Sequence, residues 1–307
     1  MAGQIWSTNS LGGYMWSANL SRKLRTALQP MTRFRQFCDA REAFGVGKGE
    51  TFNWNIYSDT ADQGGELDET QVMPESNFTI SQQSLTVTEY GLSVPFTKKL
   101  DDLSEQPVTE IIHKVLKNDA RKALDNAAYA QFNTALLRAT ATSTTAYALT
   151  TNGTPGGSHT GEFLKAHAKL IADELAERDI PAFDGNNYMA IARPSTLRSF
   201  KDELESVHQY TAEGWQVIMN GEKGRYEGIR YVEQTNVPAK GFTYSDQIFF
   251  FGSDTVVEAF SIPEEIRGKI PTDYGRSRGV AWYALLGYGI VHTDLAQQRI
   301  IVWDSVA

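Results

Sequence analysis

The chain has 307 residues, 41% hydrophobic and 21% charged, the proportions of a soluble globular protein with room for one large domain or two modest ones. Its 29 Lys and Arg stand against 37 Asp and Glu, a net charge of -8, which argues against a general nucleic-acid binder because such a protein needs a basic footprint. The single cysteine excludes an intramolecular disulfide, the N-terminus lacks the pattern of a signal peptide, and no apolar run reaches about 18 residues, so a soluble chain made in the cytosol is expected.

Residues 1–18 are rich in Gly, Ser, Asn and Trp and read as an extended arm. Leu20, Leu24, Ala27, Leu28 and Met31 then fall at helical spacing, with Asn19 or Ser21 as a cap. Arg22, Lys23 and Arg25 sit in the first turns, where cations oppose the helix dipole; they answer either to an anionic partner or to a solvated polar face. Cys38 follows Phe34 and Phe37 and reads as a small buried residue. From Thr51 the period becomes two. Phe52, Trp54 and Ile56 alternate, and alternation returns at Leu85, Val87, Tyr90, Leu92, Val94 and Phe96, with a phase slip near Glu89 that predicts a bulge. Two strand patterns around a polar tip read as an extended hairpin. Glu50, Asp59, Asp62, Glu66, Asp68, Glu69, Glu75 and Glu89 lie between Gly49 and Thr97 without one Lys or Arg, and a hairpin so poor in core residues should rest on something else.

Pro107 opens a helical pattern to about Leu137, with Ile112, Leu116, Leu124, Ala128 and Phe132 on one face and Lys114, Lys117, Arg121, Lys122 and Asp125 mainly on the other. At about 1.5 Å per residue it would span roughly 40–45 Å. The Thr, Ser and Gly-rich stretch from Ala139 to Thr160 reads as a connection. An α/β region follows: a helix through Phe163–Leu175, a strand at Tyr188–Ala192, a helix from Pro194 through Leu204, and strands at Ile229–Glu233, Ile248–Phe251 and Thr255–Phe260. Val280–Leu286, Ile290–Thr293 and Arg299–Trp303 are closing strands, which makes the chain α+β.

Catalytic constellations are missing from this pattern. The five histidines have no metal-ligand spacing, and His167 lies on an apolar helix face as a structural histidine would. Gly45-Val46-Gly47-Lys48-Gly49 lacks the Gly-Lys-Ser/Thr ending and following helix of a phosphate loop. Asp101 and Asp102 read as helix caps rather than an acid/base pair. No enzyme activity and no cofactor are expected.

Several stretches carry a family resemblance. Val94-Pro95-Phe96-Thr97-Lys98-Lys99-Leu100-Asp101-Asp102 leads into a helix containing Lys117-Asn118-Asp119-Ala120-Arg121-Lys122-Ala123-Leu124-Asp125, similar to the spine helix of coat proteins typified by the podovirus N-four. Gly224 through Pro238, and Gly268-Lys269-Ile270-Pro271-Thr272-Asp273-Tyr274-Gly275-Arg276 with Ala281-Trp282-Tyr283, extend the likeness over nearly the whole chain. The order resembles the Hong Kong 97-type fold of tailed-bacteriophage major capsid proteins. That resemblance implies an N-terminal arm over 1–48, an extended loop over 49–97, a peripheral domain with its spine helix over 98–150, an axial domain over 151–262 and strands returning to the peripheral domain over 263–307.

It also implies the protein's role: self-assembly into pentamers and hexamers of an icosahedral head enclosing double-stranded DNA. The expected partners are further copies of the chain, a separate scaffolding protein, a portal, a cement protein, and DNA held without sequence specificity. The prototype's loop lysine, used for covalent crosslinking, has no counterpart in residues 49–97. Candidate contacts between subunits pair the loop acids Asp59, Asp62, Glu66, Asp68, Glu69 and Glu75 with three basic groups. These are Arg22, Lys23 and Arg25; Lys114, Lys117, Arg121 and Lys122; and Arg267, Lys269, Arg276 and Arg278. An encapsulin-like shell shares the fold, and a soluble hydrolase with an unrecognised site is the rival from another class.

Overall fold

The computed structural model describes residues 28–38, 40–43, 45–60, 64–70, 72–156, 161–208, 225–237, 246–271 and 273–305. The expected arm over 1–18 and most of its helix, with Arg22, Lys23 and Arg25, lie outside these residues, as does Asp62; Leu28 and Met31, expected at the end of that helix, are described and are exposed without helical structure. In chain order come a 3-10 turn at Phe34–Phe37, β1 (Ala40–Ala43), β2 (Thr51–Tyr57), β3 (Ile80–Thr86), β4 (Thr88–Thr97), α1 (Lys98–Leu103) and α2 (Val108–Phe132). They are followed by β5 (Leu137–Ala141), β6 (Tyr147–Thr150), α3 (Lys165–Glu177), β7 (Tyr188–Ala192), α4 (Arg198–His208), β8 (Arg225–Tyr226), β9 (Ile229–Glu233), β10 (Asp246–Phe251), β11 (Val256–Gly268), β12 (Ser277–Ile290) and β13 (Ile300–Ser305).

Seven strands form one sheet in the order β6-β5-β13-β10-β7-β9-β8, and four form another in the order β1-β11-β12-β4; β2 and β3 pair alone. Strand alternation sorts the large sheet's side chains between two cores. Ile248, Phe250, Ile301 and Trp303 face α3 and α4, while Phe249, Phe251, Ile300 and Val302 face α2. Phe34 fills the junction, with ring centroids 5.2 Å from Phe249 and 5.5 Å from Phe132. The other side of α2 packs on the four-stranded sheet through Leu116 and Leu124 against the β12 face that carries Trp282, Ala284 and Leu286. Each such side chain, fully buried, contributes about 1.5–3 kcal/mol.

Several elements depart from the sequence pattern. α2 spans 25 residues, about 37 Å at 1.5 Å per residue, because Asn133 ends it. The Asn133 Oδ1 accepts from Arg138 Nη2 (2.9 Å) and Gln247 Nε2 (3.0 Å), which ties the helix end to the large sheet. The expected connection after Ala139 instead holds β5, buried throughout, and β6. Of the strands expected at Val280–Leu286 and Ile290–Thr293, the first lies within β12, a strand of 14 residues that ends at Ile290, and Val291–Thr293 fall outside any strand. Pro194 sits in a turn before α4, which starts at Arg198. Asp101 and Asp102 lie within α1, whose N-cap is Thr97, with Oγ1 accepting from the Leu100 N–H. Asp125, read as part of the polar helix face, is 1% exposed.

The closing strands also divide: β12 lies in the four-stranded sheet and β13 in the seven-stranded one. The chain bends at Val87, two residues before the expected slip, so β4 leaves the hairpin and pairs with β12 from Ser277↔Thr97 to Leu286↔Thr88.

Candidate functional site

Among the described residues a largely exposed feature is the β2–β3 hairpin, paired from Thr51↔Thr86 to Tyr57↔Ile80. Its base rests on its own chain. Phe52, Trp54, Leu85 and Val87 pack on Val257, Ala259, Leu285 and Val291, and the Trp54 Nε1–H donates to the Val291 carbonyl at 3.1 Å. Gly287 and Gly289 make this approach possible, since a Cβ on Gly287 would stand 2.6 Å from Leu85 Cδ1 and 2.7 Å from the Thr86 carbonyl oxygen. Gly287 is therefore a packing glycine within β12. Towards the tip Tyr57, Val72, Met73, Phe78 and Ile80 are exposed, Val72 to 89%. Asp59, Glu66, Asp68, Glu69 and Glu75 are exposed as well and form no ion pair among the described residues. Glu89 belongs to β4, where its Oε1 accepts from Tyr283 OH at 3.0 Å and raises the phenol's pKa above its ordinary value.

The cationic candidates are not equivalent. On the outer β11–β12 ladder each has a local partner: Arg267 pairs with Glu265 at 2.5 Å and stacks 3.8 Å over the Tyr283 ring, and Lys269 Nζ donates to Ser277 Oγ at 2.7 Å. Arg276 lies 3.5 Å from Asp273, and Arg278 lies 3.5 Å from Asp101. On α2, Lys114 is bonded to Glu110 at 2.7 Å, which holds that carboxyl below its usual range. Lys117, Arg121 and Lys122 form no ion pair among the described residues.

Lys117 and Arg121 rim a groove of about 450 Å³ between α2 and the outer ladder, floored by Leu116, Ala120, Ile266 and Trp282. Trp282 is held there by its indole N–H, which donates to Asp119 Oδ2 at 2.9 Å. This groove and the hairpin base occupy opposite faces of one sheet: Trp282, Ala284 and Leu286 face α2, whereas Leu285, Gly287 and Gly289 face the hairpin.

Two buried polar networks, invisible to motif reading, fix these surfaces. Asp125 on α2 accepts from Gln234 Nε2 (2.6 Å), Asn236 Nδ2 (2.9 Å) and the Arg35 backbone N–H (3.3 Å). Burial raises the Asp125 pKa, and these hydrogen bonds oppose the rise. At the large sheet, Arg138 meets Asp304 at 3.3 Å, and the Asp304 carboxylate also accepts from Gln247 Nε2 at 2.9 Å. Tyr129 OH donates to Gln247 Oε1 at 2.9 Å, and burial pushes its pKa up to about 12. His167 is fully buried, with its Nδ1 3.2 Å from the Leu164 N–H it accepts and its Nε2 2.8 Å from the Ser143 carbonyl, a structural role. Among the described residues no group of His, Cys, Asp and Glu is placed to hold a metal.

Solved structures share this fold. The capsid chain of Ralstonia phage GP4 superposes with a TM-score of 0.67 at 15% identity, covering 98% of each chain. The capsid of cyanophage P-SCSP1u gives 0.62 at 11% identity, over 97% of this chain and 95% of that one. The capsid of a native GTA particle gives 0.64 at 15% identity, over 98% and 99%. No curated protein sequence matches the chain. The profile of the family described as phage capsid protein matches residues 81–297, more than two thirds of the sequence, and the chain belongs to that family.

Proposed function

We propose that this protein is the major capsid subunit of a tailed bacteriophage, assembling as pentamers and hexamers into an icosahedral head around double-stranded DNA. The observation that carries the reading is the hairpin, pinned at its base while apolar and acidic residues at its tip lie in solvent. Such a surface finds its complement on another subunit. In this reading the hairpin is the extended loop, α2 the spine of a peripheral domain and the seven-stranded sheet the axial domain. The head is the site of function after assembly in the host cytoplasm. Scaffolding, portal and cement proteins are separate chains, and DNA is held without sequence specificity.

The loop acids are paired in this reading with Lys117 and Arg121, which form no local ion pair among the described residues; Glu110, Glu264 and Glu265 also line the groove, so the attraction rests on those two cations alone. The hairpin's own base occupies the opposite sheet face, so the hairpin entering this groove belongs to a neighbouring copy. Each exposed pair is worth only about 0–1 kcal/mol, but repetition at every boundary fixes register and speeds encounter. Electron microscopy of the purified protein tests the reading: closed shells support it, and a stable monomer under all conditions refutes it. Lys117→Glu with Arg121→Glu should slow assembly, and Glu66→Lys with Asp68→Lys should restore it. Assembly indifferent to both pairs across a salt series would remove the groove from the interface.

A further inference from the structure

We infer that Arg35 is a releasable clamp that sets the angle between the outer β11–β12 arm and the body of the subunit. β11 is buried over its first four residues and exposed over its last six. Between these halves its ladder with β12 slips twice, between Phe260 and Ile262 and again between Ile262 and Glu265, and Pro263 at the slip has no N–H to give. β1 supports β11 only from Val257 to Phe260, so the outer half is held by β12 alone among the described strands. The sheet thus has a mechanical weak point at residues 260–265.

Arg35 bridges that point. Its Nε and Nη2 lie 2.8 and 2.7 Å from Glu258 Oε1 on the inner side, and its Nη1 pairs with Glu264 on the outer side. The arginine is anchored to the body: its backbone N–H donates to Asp125, and Phe34 and Phe37 on either side are buried. The two carboxylates differ. The Glu258 side chain is 1% exposed and also accepts from Tyr288 OH at 3.2 Å, whereas that of Glu264 is 31% exposed.

When Glu264 lets go, it enters water and Arg35 stays neutralised by Glu258. Opening the outer contact therefore strands no buried charge, while opening the inner one would. A pocket of about 200 Å³ beside Arg35, lined by Phe260, Pro263 and Leu286, gives the strand room to shift. One guanidinium with a fixed and a releasable partner across a double bulge is a two-position joint, and it suits a subunit that packs at more than one curvature.

The test is Glu264→Gln, which removes the charge and keeps the volume. Hydrogen exchange of unassembled full-length subunits should accelerate about fivefold over residues 262–276 while α2 and residues 256–259 keep the parent rate. Glu258→Gln should instead accelerate exchange in the inner strand and α2. Unchanged exchange in the outer arm of Glu264→Gln, or a uniform rise through α2 and both sheets, would overturn the clamp. In particles, the same substitution should broaden the distribution of shell diameters. That second readout rests on the capsid reading and the exchange readout does not, so a parent protein that never forms shells defeats the former reading alone.

Discussion

The Arg138–Asp304 pair offers a quantitative test of how the large sheet is held. Arg138 is 5% exposed and Asp304 0%, on neighbouring parallel strands β5 and β13. Asp304→Ala removes the carboxylate and leaves a guanidinium in the core, a loss of about 3–5 kcal/mol. The surviving contacts of Arg138 to Asn133 place the expected value near the lower end, about 3 kcal/mol. Arg138→Met strands the carboxylate instead, with Gln247 as a remaining donor, and should cost a similar amount. The double variant Arg138→Met/Asp304→Leu removes both charges at similar volume, so it should fall within about 1–2 kcal/mol of the parent. Urea unfolding of unassembled subunits, followed by two optical probes, measures all three and completes a double-mutant cycle. Additive single losses, or an Asp304→Ala loss under about 1 kcal/mol, would show that the charges are not coupled as the geometry requires.

Further predictions concern single sites. Gly287→Ala drives a Cβ into Leu85 and the Thr86 backbone, so it should cost about 1–3 kcal/mol and speed proteolysis within residues 58–79, while Gly64→Ala, which meets nothing, should behave as the parent. Asp254 is held below its ordinary pKa by a hydrogen bond from His292 at 3.2 Å, with Arg299 adding to the effect. Its stabilisation is therefore present above the ordinary carboxylate value and lost as pH falls through the depressed one. Asp254→Asn should lower stability by about 1 kcal/mol or less at neutral pH, since the carboxyl is half exposed, and urea midpoints should converge with the parent once the pH has fallen below the depressed carboxyl value. Cys38→Ala removes a buried thiol with no second cysteine to join, so it should cost about 1 kcal/mol and leave assembly intact; soluble folded subunits that fail to form shells would contradict this. Particles boiled in detergent should run as single subunits, because residues 49–97 offer no lysine; a ladder mapped to that loop would refute it.

The local signals in the sequence were strong where one face of an element decides its fate. Ile112, Leu116 and Leu124 mark α2, and Phe52 with Trp54 marks the hairpin, because each stripe meets an apolar wall. Reading failed where the deciding partner is distant in sequence. Leu137-Arg138-Ala139-Thr140-Ala141 carries a charge in a fully buried strand, which is intelligible only once Asp304 is beside it. Nothing local explains a glycine at 287 until Leu85 is found against it. Asp125 belongs by composition to a polar helix face, and only Gln234, Asn236 and the Arg35 backbone explain its burial. The candidate cations were all visible, yet their ranking was not. Local ion pairs occupy Arg267, Arg276, Arg278 and Lys114, whereas Lys117, Arg121 and Lys122 form none among the described residues.

The place of β13 in the large sheet has a consequence for synthesis. It lies between β5, paired in parallel from Leu137, and β10, paired antiparallel from Asp246, yet in chain order it follows every other described strand. While the ribosome is still making residues 151–299, the β5–β6 pair cannot join the sheet that holds β10, because its free edge waits on a strand not yet translated. Sheet closure is a late, long-range event of the kind that folds slowly and exposes sticky edges. Nascent subunits thus stay incomplete until residue 305 has been made, which separates the folding of one copy from its recruitment by the next.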